Sequence, residues 1–255
     1  MQENEFKFYE NIGNWDFDQI KCITEKITDW DFYEKIKENT SKDSICLDLG
    51  TGGGEKALKY YPNEKKIIAT DFSVNMINTA KENLKNYPNK NVEFKVMDNL
   101  NMSFDDDTFD LISARHTIIN AKQIYNCLKE NGVLVIEGID KEDCIEIKDI
   151  FGRGQAYNDE ISISEKDYED LKNAGFTKIE KVKIYENEYY ETEEDLLALL
   201  LKTPILDGFS EINDQTNFEH NDKIEKDLFD KYVKQYKTEK GILLNRVLYG
   251  IIAKK

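Results

Sequence analysis

The sequence predicts an α/β fold built on a doubly wound, mostly parallel sheet with helices on both faces. Three observations carry the prediction. An apolar run at 45–49 (Ile-Cys-Leu-Asp-Leu) feeds a turn containing Gly50, Gly52, Gly53 and Gly54, and a segment of helical composition follows from Glu55. Strand, tight glycine turn and helix form the opening unit of a nucleotide-type α/β domain. Short apolar runs then alternate with amphipathic segments as far as Gly138, the rhythm of successive β-α-β units. The first three runs each end in or beside an acid, Asp48, Asp71 and Asp98, at the carboxyl ends where open α/β sheets bind ligands.

The glycine spacing selects the ligand. A dinucleotide fingerprint places a third glycine three positions after its second, so that a pyrophosphate can sit on the helix N-terminus. Counted from Gly50 and Gly52 that position is Glu55, whose carboxylate suits the helix dipole and repels a diphosphate. This disfavours a nucleotide-dependent reductase. No Gly-Lys-Ser/Thr follows the turn, which excludes a P-loop. What remains is backbone that a ligand can approach closely, beside Asp48, an acid able to hold a cationic group. A ligand carrying an ammonium and a sulfonium, without phosphate, meets those conditions.

Asp48-Leu49-Gly50-Thr51-Gly52-Gly53-Gly54 resembles the first motif of the class I S-adenosylmethionine (SAM) dependent methyltransferases, in the branch similar to the ubiquinone/menaquinone biosynthesis enzymes. The resemblance runs in motif order over residues 44–138. It implies seven strands in the order 3-2-1-4-5-7-6 with the last antiparallel, SAM as cofactor and S-adenosylhomocysteine (SAH) as its product.

Composition bounds the partners. Thirty-five Lys and Arg against 51 Asp and Glu leave a net charge of −16 in 255 residues, so a nucleic-acid backbone is repelled unless a local basic patch exists, and no run of Lys/Arg makes one. Cys22, Cys46, Cys127 and Cys144 show no CxxC pairing, which supports neither a zinc site nor a redox motif. No long apolar run marks a signal peptide or a membrane span. The reading is a cytoplasmic protein without a metal, acting on a small molecule.

Residues 1–43 carry two similar aromatic clusters, Trp15-Asp16-Phe17 and Trp30-Asp31-Phe32. Thr28 or Asp29 caps a helix running to about Asn39. These aromatics read as helices packed on the sheet edge. The resemblance offers the alternative of a lid over cofactor and substrate, with Tyr9 and Trp15 as its candidates.

The second strand, 66–71, ends in Asp71, 23 residues after Asp48. Nucleotide-type folds place a carboxylate there for the ribose hydroxyls, because a bidentate acceptor matches a vicinal diol. Phe72 is placed against the adenine face, and Ser73 caps a helix bearing Met76, Ile77, Ala80 and Leu84. Met76 and the turn residues Gly50, Thr51, Gly52 and Gly54 belong to the expected cofactor set. The third strand, 91–96, delivers Asp98-Asn99. The resemblance gives Asp98 the adenine exocyclic amine and Asn99 a contact to the ring; taken alone the pair reads as a turn.

The fourth strand, 109–113, ends in Ser113, assigned to the cofactor, and Ala114-Arg115-His116 is expected to face the transferred methyl. The Asn/Asp-Pro-Pro-Tyr run of amino-methylating nucleic-acid enzymes is missing. A helix at 121–129 is stopped by Asn131-Gly132 before a buried fifth strand at 133–138. Leu128-Lys129-Glu130-Asn131-Gly132 is similar to the family's Leu-Lys-Pro-Gly-Gly turn, with its Pro and first Gly replaced. A helix at 143–150 leads to Gly152-Arg153-Gly154, a hinge or an ordinary connector.

A helix at 165–174, closed by Gly175, is followed by a sixth strand at 176–185. Thr192-Glu193-Glu194-Asp195 opens a leucine-rich helix ended by Pro204. A polar loop at 207–223, an amphipathic helix at 224–236 and a last strand at 246–253, antiparallel to the sixth, complete the chain. The organisation is an N-terminal helical cap (1–43), a SAM-binding core (44–190 and 241–255) and a helical insertion over the substrate side (191–240).

Methyl transfer from a sulfonium is an in-line displacement whose reactive group belongs to the cofactor. The protein aligns the nucleophile and excludes water, and a general base is required only for a protonated nucleophile. His116 is the best placed base or substrate contact; His220 lies in a polar acidic loop. The alternative for His116 is a structural histidine hydrogen-bonded beneath the sheet. Arg115, Arg153 and Tyr157 complete the substrate set, the arginines as forks for a carboxylate or phosphate or, equally, as charges that neutralise this acidic surface. Two rivals stand beside the small-molecule methyltransferase: one acting on RNA or protein, and a SAM-binding module without turnover.

Overall fold

The computed structural model describes residues 19–62, 66–206 and 222–255. Tyr9, Trp15, His220 and most of the 207–223 loop lie outside the described residues.

The core of the molecule is a sheet whose strands, in chain order, are β1 (Cys22–Lys26), β2 (Ile45–Leu49), β3 (Lys66–Asp71), β4 (Val92–Val96), β5 (Phe109–Arg115), β6 (Leu128–Ile139), β7 (Lys178–Tyr190), β8 (Lys237–Thr238) and β9 (Gly241–Lys254). They lie in the spatial order β1-β7-β9-β6-β5-β2-β3-β4, with β8 pairing to β9. Read from β4, the seven expected strands stand in the expected order, with β9 antiparallel to both β6 and β7. Among the described residues the strand count is corrected from seven to nine. β1 is an added edge strand, and β8 is a two-residue hairpin arm.

The parallel strands form where apolar residues run without alternation. Cys46, Leu47 and Leu49 of β2 and Leu111, Ile112 and Ala114 of β5 are fully buried, as expected for strands covered on both faces. The helices that cover them are α1 (Phe32–Glu38), α2 (Glu55–Tyr60), α3 (Val74–Leu84), α4 (Ala121–Cys127), α5 (Ile145–Phe151), α6 (Ile163–Ala174), α7 (Glu193–Lys202) and α8 (Asp222–Tyr236).

Three local expectations change. The cap of α1 is Asp31, whose side chain accepts from the N–H groups of Tyr33 and Glu34, and not Thr28 or Asp29. Helix α4 stops at Cys127, and the chain enters β6 at once: Phe109 pairs with Leu128, Leu111 with Val133, and the residues between form an irregularity with Asn131 at φ +64°. β7 runs five residues further than predicted, to Tyr190.

That extra length shapes the ligand side. β6 pairs with β9 from Val133↔Lys254 to Ile139↔Leu248, whereas β7 pairs with β9 on to Tyr190↔Ile242. Residues 185–190 and 242–247 therefore outrun the carboxyl end of β6 by about 20 Å at ~3.3 Å per residue. Among the described residues β1 pairs only with this overhang, from Cys22↔Tyr190 to Lys26↔Glu186. A second apolar cluster packs on it, joining Ile147 and Phe151 of α5, Leu196, Leu199 and Leu200 of α7, Phe229, Tyr232 and Val233 of α8, and Tyr190, Ile242 and Leu244 of the strands.

Candidate cofactor and acceptor site

The turn after β2 has three residues in the left-handed region, Gly50 (φ +72°), Gly52 (φ +58°) and Gly54 (φ +75°), a path that favours glycine. At two of them the space also requires it. A Cβ on Gly50 would lie 2.7 Å from Thr117 Cβ, and one on Gly54 would lie 2.7 Å from the Phe94 ring. The turn is tied across the sheet by Thr51 N–H to Thr70 O at 2.8 Å.

Asp71, at the end of β3, faces this turn: its Oδ2 accepts from the Gly52 N–H at 3.0 Å and its Oδ1 from the Ser73 N–H at 2.9 Å. Burial raises its pKa against those two donors. Asp48 is buried in β2 and accepts from Ser113 Oγ at 2.7 Å; Ser113 in turn bonds the Tyr61 hydroxyl. Burial pushes the Asp48 carboxyl up to about 6, against the Ser113 and Thr51 hydroxyls and the charge of Arg115. Thr51 Oγ1 is close enough to act on Asp48 but completes no hydrogen bond of ordinary geometry, and with Asn99 Oδ1 it is a buried polar atom without a partner among the described residues.

The other cofactor candidates sit around this core. Met76 is buried on α3, and Phe72 is half-buried beside Asp71. Asp98 is exposed and closes a turn, accepting from the Leu100 N–H at 2.9 Å and Asn101 Nδ2 at 2.6 Å.

Arg115 and Glu137 are register partners on β5 and β6, joined by Arg115 Nε to Glu137 Oε1 at 2.7 Å. His116 follows at φ +51°, its N–H donating to Glu137 O at 2.8 Å and its Nε2 3.7 Å from Glu137 Oε1. Desolvation by the protein around the ring, then the charges of Arg115 and Arg246, lowers its imidazole below the ordinary histidine pKa, although the residue keeps an exposed face, 30% of its side chain being open to solvent. Arg246, on the β9 overhang, grips the buried Asp143 through Nε (2.8 Å) and Nη2 (3.1 Å) and reaches Glu188 at 3.1 Å. Tyr33 of α1 stacks on Tyr60 at 5.1 Å, and burial followed by the Asp48 charge keeps its hydroxyl protonated.

Arg153 and Tyr157 are turned to local partners. Arg153 pairs with Glu225 of α8, and the Tyr157 hydroxyl donates to Asp149 Oδ1 at 3.0 Å. The sequence reading missed Tyr33, Thr117, Glu137 and Arg246. Glu137, an acid closing a buried strand, carries the same signal that marked Asp48, and Arg246 is a lone charge in an apolar run. Thr117 carries no signal of its own.

The residues present fit SAM. Close-approach backbone, a carboxylate facing it, and buried acceptors without donors are gathered at the carboxyl ends of β2, β3 and β4. Among the described residues there is no cluster able to hold a metal ion and no helix long and apolar enough to cross a membrane.

Comparison with known proteins agrees with this geometry. Residues 40–195 match a family described as "Methyltransferase domain". A 2-phytyl-1,4-naphtoquinone methyltransferase from Nostoc punctiforme is 30% identical over 130 residues, 45% of this chain and 55% of that protein. The chain thus spans about half the length of the curated relatives it matches. The fold is shared with the YcgJ protein of Bacillus subtilis (TM-score 0.59, 17% identity, 88% of this chain and 97% of that one). It is also shared with a functionally unknown protein from Deinococcus radiodurans R1 (TM-score 0.59, 13% identity, 99% of each chain). The matched segment covers more than half of the residues and includes the glycine turn, its facing carboxylate and the β5–β6 edge, so the chain belongs to the methyltransferase-domain family of class I SAM-dependent methyltransferases.

Proposed function

We propose that the chain transfers the methyl group of SAM to a small-molecule acceptor held over the carboxyl ends of β5 and β6. The observation that carries this reading is the Gly50–Gly54 turn facing Asp71, with Thr51 Oγ1 and Asn99 Oδ1 buried nearby and lacking donors among the described residues. When bound, SAM supplies an activated methyl group on a sulfonium. Asp71 keeps a second lone pair on each oxygen for a diol. Asp48 offers a carboxylate whose ionisation an ammonium would favour.

On the acceptor side, Glu137 fixes the Arg115 guanidinium and sits beside His116, so the three act as one unit. His116 is uncharged at neutral pH and is able to take a proton from a hydroxyl acceptor. The overhang of β7 and β9, with α7 and α8 of the 191–240 insertion packed on it, forms the wall that keeps water from this edge. The net charge of −16 favours a small molecule over a nucleic acid. The name of the Nostoc relative supports a small acceptor of quinone type. A reducing cytosolic setting fits the four cysteines, none of which forms a disulfide.

Calorimetry with SAH, followed by labelled SAM incubated with small- and large-molecule fractions of a cell extract, tests the reading. Binding of SAH and label in the small-molecule fraction are expected. No SAH binding sinks the cofactor assignment, and label confined to RNA or protein sinks the acceptor class.

A further inference from the structure

The wall beside the acceptor edge is a set of matched charges with one member left over. Directly paired residues of an antiparallel sheet share a face, so Lys26, Glu186 and Arg246 form one row across the overhang. The other acids around this row are engaged: Arg246 holds Asp143 and Glu188, Arg115 holds Glu137, and Lys26 is turned to Asp31 at 2.7 Å. Glu186 is half-buried and accepts no hydrogen bond from any described residue. Burial, then the charge of Glu137, raises its pKa, and Lys26 opposes the rise. Five acids (Asp31, Glu137, Asp143, Glu186 and Glu188) thus meet three cations (Lys26, Arg115 and Arg246), with His116 uncharged. The inner end of the same face holds a second polar group whose partner the described fold does not supply. Trp30 is 8% exposed. Its ring covers Gly250, the register partner of Glu137, where a Cβ would lie 2.5 Å from it, and it packs on Ile184 and Leu248, the pair next to Glu186 and Arg246. Its Nε1 is a buried donor with no acceptor among the described residues, and such groups are seldom left unpaired.

We propose that the acceptor is a small cationic molecule and that Glu186 is its specificity-determining contact, holding an ammonium or amidinium nitrogen while the nucleophilic atom lies at the His116 edge. This rests on the acceptor edge proposed above and narrows what that edge selects; a quinone-type acceptor qualifies only if it carries such a group. The assignment reverses the expectation of an arginine fork for a carboxylate or phosphate. Arg115 is already matched by Glu137 through Nε, and Arg246 is bonded to two acids, so an anionic acceptor would bring its charge against Glu186 and Glu188. A cation beside Glu186 instead offsets both its burial and the repulsion from Glu137. Gly250, partner of Glu137, and Arg246, partner of Glu186, are four residues apart on β9, about 13 Å at ~3.3 Å per residue. The cation and the methylated atom therefore belong to opposite ends of the acceptor.

The test uses the full chain, SAM labelled on its methyl group and the small-molecule fraction of a cell extract. Labelled products are separated from unreacted SAM by chromatography and sorted by retention on a cation exchanger at pH ~7. Wild type is expected to place its label in retained products. At limiting extract Glu186→Gln should lower that labelling about ten- to a hundredfold, the range of a hydrogen bond to a charged group, and Glu186→Asp, which keeps the charge on a shorter arm, should retain more of it than Glu186→Gln does. Calorimetry with SAH should give affinities within about threefold of wild type for both variants. The urea midpoint of Glu186→Gln should lie at or above that of wild type, because a charge beside Glu137 and Glu188 is removed. A loss of labelling is then a loss of acceptor recognition and not of the fold. Label confined to products that pass the exchanger, or equal labelling by wild type and Glu186→Gln, overturns the proposal. If wild type binds SAH and labels no small molecule, the acceptor reading falls and this inference with it; if it binds no SAH, the cofactor assignment falls first.

Discussion

Replacing Asp48 with Asn is expected to stabilise the cofactor-free protein at neutral pH and to weaken SAH binding. Asp48 is 7% exposed, and burial lifts its carboxyl to about 6 from about 3.9 in an unfolded chain. The sign follows from which state holds the proton more tightly. Below the unfolded value the group is protonated in both states and costs the fold nothing. As pH climbs towards and through 6 the unfolded chain ionises more readily than the folded one, and stability is lost. A rise of about two in pKa, at about 1.4 kcal/mol each, comes to about 3 kcal/mol above pH ~7. The Asp48→Asn variant avoids that loss and keeps an oxygen to accept from Ser113 Oγ, now 2.7 Å from Asp48 Oδ1.

Urea unfolding of both proteins between about pH 4 and 8 measures the gap. It should be near zero at the acid end and reach about 3 kcal/mol in favour of the variant at pH ~7.5, a gain of roughly 6–12 °C in Tm for a chain this size. SAH affinity should move the other way, by about tenfold or more, because a hydrogen bond to a charged group is lost. A gap that stays constant with pH, or a variant less stable than wild type at pH ~7.5, would refute the claim that the Asp48 carboxylate is held in the fold at a cost and repaid by a ligand cation.

Three further outcomes are expected. Gly54→Ala forces an L residue to φ +75° against the Phe94 ring and should cost about 2–5 kcal/mol, whereas Gly152→Ala, at φ +66° in open space, should cost only about 1–2 kcal/mol; urea unfolding separates strain from crowding. Arg246→Met leaves Asp143, 1% exposed, without its guanidinium and should cost about 3–5 kcal/mol, much of it recovered in the double variant with Asp143→Asn, as a double-mutant cycle would show. Because His116 is uncharged well below the ordinary histidine pKa, kcat/KM should not fall as pH drops through about 6.5. Arg115→Met, which removes the nearer cation, should move any acid limb assigned to His116 to higher pH.

The parallel half of the fold was legible because its strands are covered on both faces and read as unbroken apolar runs, and because Ser73 and Thr192 cap their helices by side-chain hydrogen bonds that a short motif can announce. β1 was not legible. Four of its five residues are exposed, and Ile23 is 60% exposed, so no burial pattern distinguishes it; backbone pairing to the overhang of β7 makes it a strand. The α4 stop was misplaced because its composition stays helical through Lys129, while the sheet takes Leu128 for pairing with Phe109. Thr28, Asp29 and Asp31 all have capping side chains, and the choice among them rests on where Phe32 and Ile36 bury. In the site, acids at strand ends and glycines in a turn are local signals. Glu137 and Arg246 carry a local mark as well, an acid closing a buried strand and a lone charge in an apolar run, but which groups they meet is set by long-range pairing, and Tyr33 and Thr117 have no such mark.

The same register explains why the acceptor side resisted a sequence reading while the cofactor side did not. A parallel sheet ends abruptly, and its strand termini offer side chains on one plane only, enough to line an extended cofactor but not to wall in a second molecule. A wall requires strands that outrun the edge, and an antiparallel strand can do this because it enters from the ligand side. β9 does so with β7, and the exposed backbone of the overhang is paired by β1 on one side. Its apolar face is covered by α5, α7 and α8, and the Asp143–Arg246–Glu188 ion pairs tie it to the segment leaving β6. The leucine-rich helix after Thr192, apolar nearly all round, is therefore accounted for by the overhang it buries. Acceptor specificity on this view resides in residues 185–190 and 242–247 rather than in the glycine turn, and exchanging those two strand segments together should change the acceptor while leaving SAH affinity within about threefold. A change in SAH affinity of the same size as the change in acceptor would show that the two halves of the cleft are not separable in this way.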